Sequence, residues 1–184
     1  FLDRIMAGSN QMKDYLQRAA GYSLTGSTKE QCFFIAHGTG ANGKSVLLNI
    51  LRDMMGSYGL NMAMDTLMSK SKGGGISNDI ARLCGTRMVT AMEGESNQKM
   101  AESLIKQMTG GDKITARFLF KEHFDFTPEF KLWFGTNFKP PLSAEDQAIW
   151  RRVNLIPFDV VIPLEELDGD LPLKLKSEVS GILN

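Results

Sequence analysis

Eight consecutive residues carry the clearest chemistry in the chain. Gly38-Thr39-Gly40-Ala41-Asn42-Gly43-Lys44-Ser45 reproduces the GxxxxGK[ST] pattern in full. Glycines let successive backbone N–H groups turn inward around a β-phosphate, and a helix beginning at Lys44 adds partial positive charge there. Lys44 can reach the β- and γ-phosphates, and the Ser45 hydroxyl is a ligand for Mg²⁺. A Gly-rich turn that merely joins strand to helix does not require Lys-Ser at this spacing. The loop therefore points to a nucleoside triphosphate with Mg²⁺. ATP is preferred over GTP, because no NKxD-like guanine-reading motif is present.

Three further groups could complete such a site. Met88–Met92 runs into Glu93-Gly94-Glu95, and a carboxylate at the carboxyl end of a strand beside the phosphate-loop strand manages Mg²⁺ and the attacking water. Glu93 is the candidate for water activation and Glu95 for the metal side. Asn137 closes the apolar run Leu132–Thr136, where an amide can orient the lytic water; it could equally be a turn residue before Pro140-Pro141. Arg151 and Arg152 precede the last apolar run and could supply a guanidinium to developing γ-phosphate charge, within the subunit or from a neighbour.

These residues need a scaffold that ends its strands on one edge. Four short apolar runs without alternation read as buried parallel strands: Cys32–Ala36, Met88–Met92, Leu132–Thr136 and Val153–Phe158. Leu60–Met64 is a weaker fifth. Helical patterns over Lys44–Met55 and Gln98–Met108 fall between them, the second ending at Gly110-Gly111. Phe1–Ala20 and Leu173–Leu183 also read as helical. Alternating strands and helices indicate an α/β sheet protein, divided into an N-terminal helical segment (1–30), a phosphate-loop core (31–158) and an acidic C-terminal segment (159–184). Lys70–Gly75, with three consecutive glycines, reads as a mobile loop.

Ile114–Phe120 and Phe124–Thr127 flank Lys121-Glu122-His123 as a hairpin. Pairing Phe120 with Phe124 puts Phe118, Phe120, Phe124 and Phe126 on one face, read as a packed face. Lys121 and His123 project from the tip, where they could hold a phosphate backbone or simply be solvated.

Composition sets the outer bounds. The chain has 184 residues, with 42% hydrophobic and 23% charged, which excludes a disordered tail or a disulfide miniprotein. No apolar run is long enough to span a bilayer and no signal peptide opens the sequence, so no membrane partner is expected. Cys32 and Cys84 form no CxxC pair, which favours a reducing, cytoplasmic setting. The absent initiator Met and the helix-like terminus make both ends read as cuts in a longer polypeptide. The net charge of zero hides an asymmetry: residues 1–158 carry 19 bases and 15 acids, while the remainder carries two bases and six acids. A neutral total thus leaves nucleic-acid binding open, as a local property.

In order, GTGANGKS, RMVTAMEGE, IKQMTGGDKITARFLFKEHFDFTPEFKLWFGTN and WRRVNLIPF resemble the superfamily 3 helicase domain of phage and plasmid DNA primase-helicases, relatives of the poxvirus-type primase-helicase. The opening FLDRIMAGSNQMKDYLQRAAGYSLTG and closing LKLKSEVSGILN extend the likeness over nearly the whole chain. The resemblance implies an AAA+-type P-loop ATPase with a central, mostly parallel five-stranded sheet flanked by helices and a β-hairpin inserted before the sensor 1 strand. It implies a homo-oligomeric ring, usually a hexamer, that translocates 3′→5′ on single-stranded DNA in the host-cell cytoplasm. Gly38, Gly43, Lys44 and Ser45 fall on Walker A, Glu93 and Glu95 on Walker B, Asn137 on sensor 1, and Arg151/Arg152 on the region giving an arginine finger in trans. The hairpin corresponds to the family's DNA loop, which favours Lys121 and His123, with Lys113 and Arg117 secondary. Gly94 separates two acids that are adjacent in many members. The family's primase part would lie in a longer chain. Two other functions use the same phosphate loop: a small-molecule kinase, or a non-catalytic ring that binds ATP and DNA to recruit replication partners.

Overall fold

The computed structural model describes residues 1–69, 78–92 and 99–182. Glu93, Gly94, Glu95 and the Lys70–Gly75 loop lie outside them.

The apolar runs form the strands expected of them, each within a residue of its sequence bounds. β1 (Phe33–His37), β2 (Gly59–Ala63), β3 (Met88–Met92), β6 (Lys131–Thr136) and β7 (Val153–Pro157) make one parallel sheet in the order β2-β3-β6-β1-β7. The short β4 (Ile114–Ala116) and β5 (Phe124–Phe126) pair with each other, antiparallel, outside that sheet. One expectation fails here. β3 does not lie beside the phosphate-loop strand β1, because β6 is hydrogen-bonded between them. On that side the neighbour of β1 is β6, the strand that Asn137 follows.

Continuous apolar sequence is needed because both faces of the sheet are covered. From β1, Phe33 and Ile35 enter one core, with Leu132 and Phe134 of β6 and Ile105 and Met108 of α5 (Glu102–Gly110). Phe34 and Ala36 enter the other, with Trp133 and with Leu47, Leu48 and Leu51 of α3 (Lys44–Met54). The second core is closed by Ile5 of α1 (Leu2–Ile5), Leu16 and Ala19 of α2 (Asn10–Leu24) and Leu175 of α7 (Leu171–Ser177). The short α4 (Asn78–Ala81), α6 (Gln147–Trp150) and α8 (Val179–Ile182) complete the described helices.

Helix bounds differ from expectation where the backbone finds another partner. The N-terminal helical run breaks because Ala7 and Gly8 take left-handed φ values of 50° and 74°; α2 restarts with Ser9 Oγ accepting the Met12 N–H at 3.3 Å. Where the periodicity of Gln98–Met108 predicts helix, α5 begins at Glu102, and Gln98 itself lies outside the described residues. Met100 instead forms an isolated bridge with Met68, and Ala101 donates to the Leu67 carbonyl at 2.8 Å. The C-terminal helical run is split at Glu178 into α7 and α8.

At the far end of β6, Lys131 is only 1% exposed. Its ammonium donates to the Thr25 and Ser27 carbonyls and sits 4.7 Å from the Tyr22 ring centre. Burial is the main cause that pushes its pKa from 10.5 down to about 8, with Arg87 adding to it. This side chain ties the segment after α2 to the middle of the sheet.

Candidate functional site

Parallel strands bring their carboxyl ends to one edge, and the register makes that edge specific. His37 is level with Thr136 and with Pro157, while Met92 is level with Gly135. The residues that follow β1, β6 and β7 therefore converge around a cleft of about 580 Å³. Gly40 to Val46 form its floor, with Met92, Gly135 and Asn137 on one side.

The phosphate loop is built from backbone turns that need glycine. Gly43 sits at φ +77° immediately before α3, and a Cβ there would come 2.6 Å from Ile5 Cγ2. A Cβ at Gly38 would overlap the Asn42 side chain and the Phe158 carbonyl. Asn42 is 3% exposed and staples the loop from within, donating through Nδ2 to Phe158 O at 3.1 Å. The segment after β7 closes over the loop, with the Ile162 N–H donating to Ala41 O at 2.7 Å.

Lys44 is 6% exposed, and burial lowers its pKa. Its Nζ donates to Gly38 O at 2.8 Å and to Asn137 Oδ1 at 2.9 Å. Among the described residues no carboxylate forms an ion pair with it. A buried ammonium that meets, among the described residues, neutral oxygens at a helix N-terminus could receive an anion such as a triphosphate. Ser45 follows in the first turn of α3 and is exposed in the cleft, where its hydroxyl could hold a metal. Thr39 and Ala41 complete the loop, Ala41 with φ +46°. Glu93 and Glu95 lie outside the described residues.

The two arginines part company. Arg152 is 6% exposed: Nε donates to Thr109 Oγ1 at 3.2 Å, Nη1 to Ala148 O at 2.6 Å and Nη2 to Gln31 Oε1 at 3.3 Å. Its guanidinium is thereby committed to joining α5, α6 and the segment before β1. Arg151 is exposed, and its side chain donates from Nη2 to Gln31 Oε1 at 2.8 Å. Both precede β7, at the end of the sheet away from their own cleft, so neither reaches the phosphate loop of the same chain.

The hairpin forms in a register other than the expected one. Ala116 pairs with Phe124 and Ile114 with Phe126, which leaves a seven-residue loop from Arg117 to His123. Phe126 is buried, and Phe118 stacks on Phe124 with ring centres 5.7 Å apart. Phe120 does not join that face: it is 97% exposed at the loop tip with φ +61°. Lys113, Arg117, Lys121 and His123 are all exposed, the last three on the loop itself.

A family model described as a family of unknown function (DUF5906) matches residues 36–152. The chain belongs to the DUF5906 family. "Putative helicase L207/L206" of Acanthamoeba polyphaga mimivirus is 33% identical to this DUF5906 chain over 159 residues, covering 86% of it and 16% of the viral protein. "Putative helicase 022R" of Frog virus 3 (isolate Goorha) is 32% identical over 150 residues, covering 79% and 15%. The chain thus spans about a sixth of the length of these curated relatives. Among solved structures, the apo NrS-1 C-terminal region superposes with a TM-score of 0.74 at 13% identity, over 98% of this chain and 42% of that one. JCV Helicase superposes with a TM-score of 0.54 at 11% identity, over 91% and 56%. At those identities the likeness is one of fold.

Sequence reading misses one wall of the cleft in this DUF5906 domain. Phe1 and, from α1, Arg4 and Ile5 line it together with Ile162, Glu166 and Leu167, and Arg4 joins Glu166 at 2.8 Å. These partners are separated by 162 positions, and the only sequence signal for them is a pair of opposite charges.

Proposed function

We propose that this domain is the ATP-hydrolysing motor of a DNA helicase, of superfamily 3 and AAA+ type, within a longer replication protein that also carries a primase part. The observation that carries the reading is the 2.9 Å contact of Lys44 Nζ with Asn137 Oδ1. It joins the phosphate loop to the end of the adjacent strand, where a water-orienting amide is needed. The placement of β6 between β1 and β3 and the viral relatives named as helicases support the same reading.

In this mechanism the loop N–H groups and Lys44 bind the β- and γ-phosphates. Ser45 and Glu93 or Glu95 would hold Mg²⁺, which would neutralise charge on the phosphate oxygens. Glu93 takes the proton of the attacking water, and Asn137 fixes that water in line. Arg151 of a neighbouring copy stabilises the departing charge, because Arg152 is held by Thr109, Ala148 and Gln31. Turnover moves the hairpin, with Lys121 and His123 on the strand backbone, 3′→5′ along single-stranded DNA in a ring, usually of six copies.

The test is ATPase activity with and without single-stranded DNA, with mass measured on the same sample. Stimulation by DNA in an assembled species, reduced in Lys121→Ala while basal turnover persists, is the expected result. Stimulation of a monomer by a nucleoside or metabolite would make the domain a small-molecule kinase. DNA and ATP binding with no turnover would make it a recruiting ring.

A further inference from the structure

Phe120 is the most exposed large apolar residue of the described chain, at 97%, and it occupies a backbone conformation that bulky side chains avoid. Neither property helps the fold. The loop around it is nevertheless well held. Phe118 stacks on Phe124, the Lys121 N–H donates to Phe118 O at 3.0 Å, and the Leu119 N–H donates to the Asn78 side chain at 3.3 Å. The tip is therefore a supported turn that pushes one aromatic ring outward, and a left-handed aromatic residue kept under such support marks a functional position.

We propose that Phe120 is a stacking platform for an unpaired nucleobase, with Lys121 and His123 holding the adjoining phosphates; this rests on the single-stranded DNA reading above. The chemistry matches a nucleotide strand group by group. A flat apolar ring meets the π-face of any base, and the cationic or polar side chains within three residues meet the anionic backbone. The apolar surface at the tip is Phe120 with Leu119 (69% exposed) and the less exposed Phe118 (38%), bounded by Arg117, Lys121, Glu122 and His123, all exposed. That is narrow for a protein interface, whose central patch is broad and depleted of charge. Stacking is also tolerant of sequence, as a strand-tracking loop requires.

The test is anisotropy of a labelled oligothymidine and of an abasic strand of equal length, titrated with the whole chain. Phe120→Ala should weaken oligothymidine binding about fivefold to a hundredfold. It should leave abasic-strand binding and the salt dependence unchanged. Lys121→Ala should weaken both strands and flatten the salt dependence. Phe120→Trp should restore affinity, and its fluorescence should be quenched by oligothymidine and not by the abasic strand. Equal losses on both strands, no loss on either, or a change in oligomeric mass on Phe120→Ala would overturn the assignment, the last making the ring an inter-subunit contact. A wild-type chain that binds neither strand and shows no DNA-stimulated turnover would instead overturn the helicase reading beneath it.

Discussion

Lys131 offers a prediction whose size follows from its surroundings. An ammonium held at about 8 against its ordinary 10.5 means that the folded state disfavours its charge by roughly 3 kcal/mol. Below pH 8 both folded and unfolded chains carry the proton, and the full cost is present. Between pH 8 and 10.5 the unfolded chain still holds the proton while the folded one releases it, so stability from this group rises with pH. Lys131→Met removes the charge and with it that rise. At pH 7 the variant also loses two hydrogen bonds and the Tyr22 contact, each worth about 0.5–1.5 kcal/mol, so its net stability should stay within about 1–2 kcal/mol of wild type. The difference between wild type and variant should then swing by roughly 2 kcal/mol in favour of wild type from pH 7 to pH 9.5. Urea unfolding of both proteins across that range measures it. Cys32, whose thiol pKa is pushed up by burial, acts in the opposite sense, losing stability as pH rises. It is present in both proteins and largely cancels in the comparison. Parallel stability curves for the two proteins would refute the assignment of a strained, desolvated ammonium.

Further outcomes are expected. Lys44→Ala should abolish ATP hydrolysis, whereas Asn137→Ala should lower kcat about a hundredfold with nucleotide affinity largely retained, as read by steady-state turnover and a fluorescent-nucleotide titration. Gly38→Ala, which forces a Cβ onto Asn42 and the Phe158 carbonyl, should cost about 1–3 kcal/mol and lower Tm by roughly 3–10 °C. ATP should no longer raise that Tm. Arg152→Ala should destabilise the fold by about 2–4 kcal/mol by emptying a buried network, while Arg151→Ala should leave stability within about 1 kcal/mol and remove turnover. Mixing Arg151→Ala with Lys44→Ala should restore part of the turnover, since each supplies what the other lacks across an interface.

The central strands β1, β3 and β6 were legible because they are buried on both faces and so read as apolar runs, whereas the edge strands β2 and β7 are only partly buried and carry Asn61 and Asn154. The phosphate loop was legible because its backbone dictates residue types. Hairpin register was not. A slip of four residues keeps every side chain on the same face, so alternation alone cannot distinguish Phe120–Phe124 pairing from Ala116–Phe124 pairing. No Asn-Gly or Asp-Gly turn was present to fix the loop length. Met100 continued the helical period of α5 yet bridges to Met68, a tertiary partner 32 positions away. Arg151 and Arg152 look alike in a linear reading, and only burial beneath α5 and α6 tells them apart. The Arg4–Glu166 wall joins the two ends of the chain, and no local pattern could announce it.

The position of β7 bears on how this domain can be dissected. The stretch recognisable as DUF5906 begins at Ala36, inside β1, and stops at Arg152, one residue before β7. A polypeptide trimmed to those limits would retain every residue from Gly38 to Ser45. It would lose Phe33 to Ile35 from the sheet centre, the Asn42–Phe158 and Ala41–Ile162 bonds that shape the loop, and Ile5 behind Gly43. What remained of β1 would present raw hydrogen-bonding groups to any passing strand. The signature and the cooperative folding unit are therefore different objects. Expression boundaries drawn from the first would yield an aggregating fragment, whereas those drawn from the second must include α1 and the turn beyond Ile162.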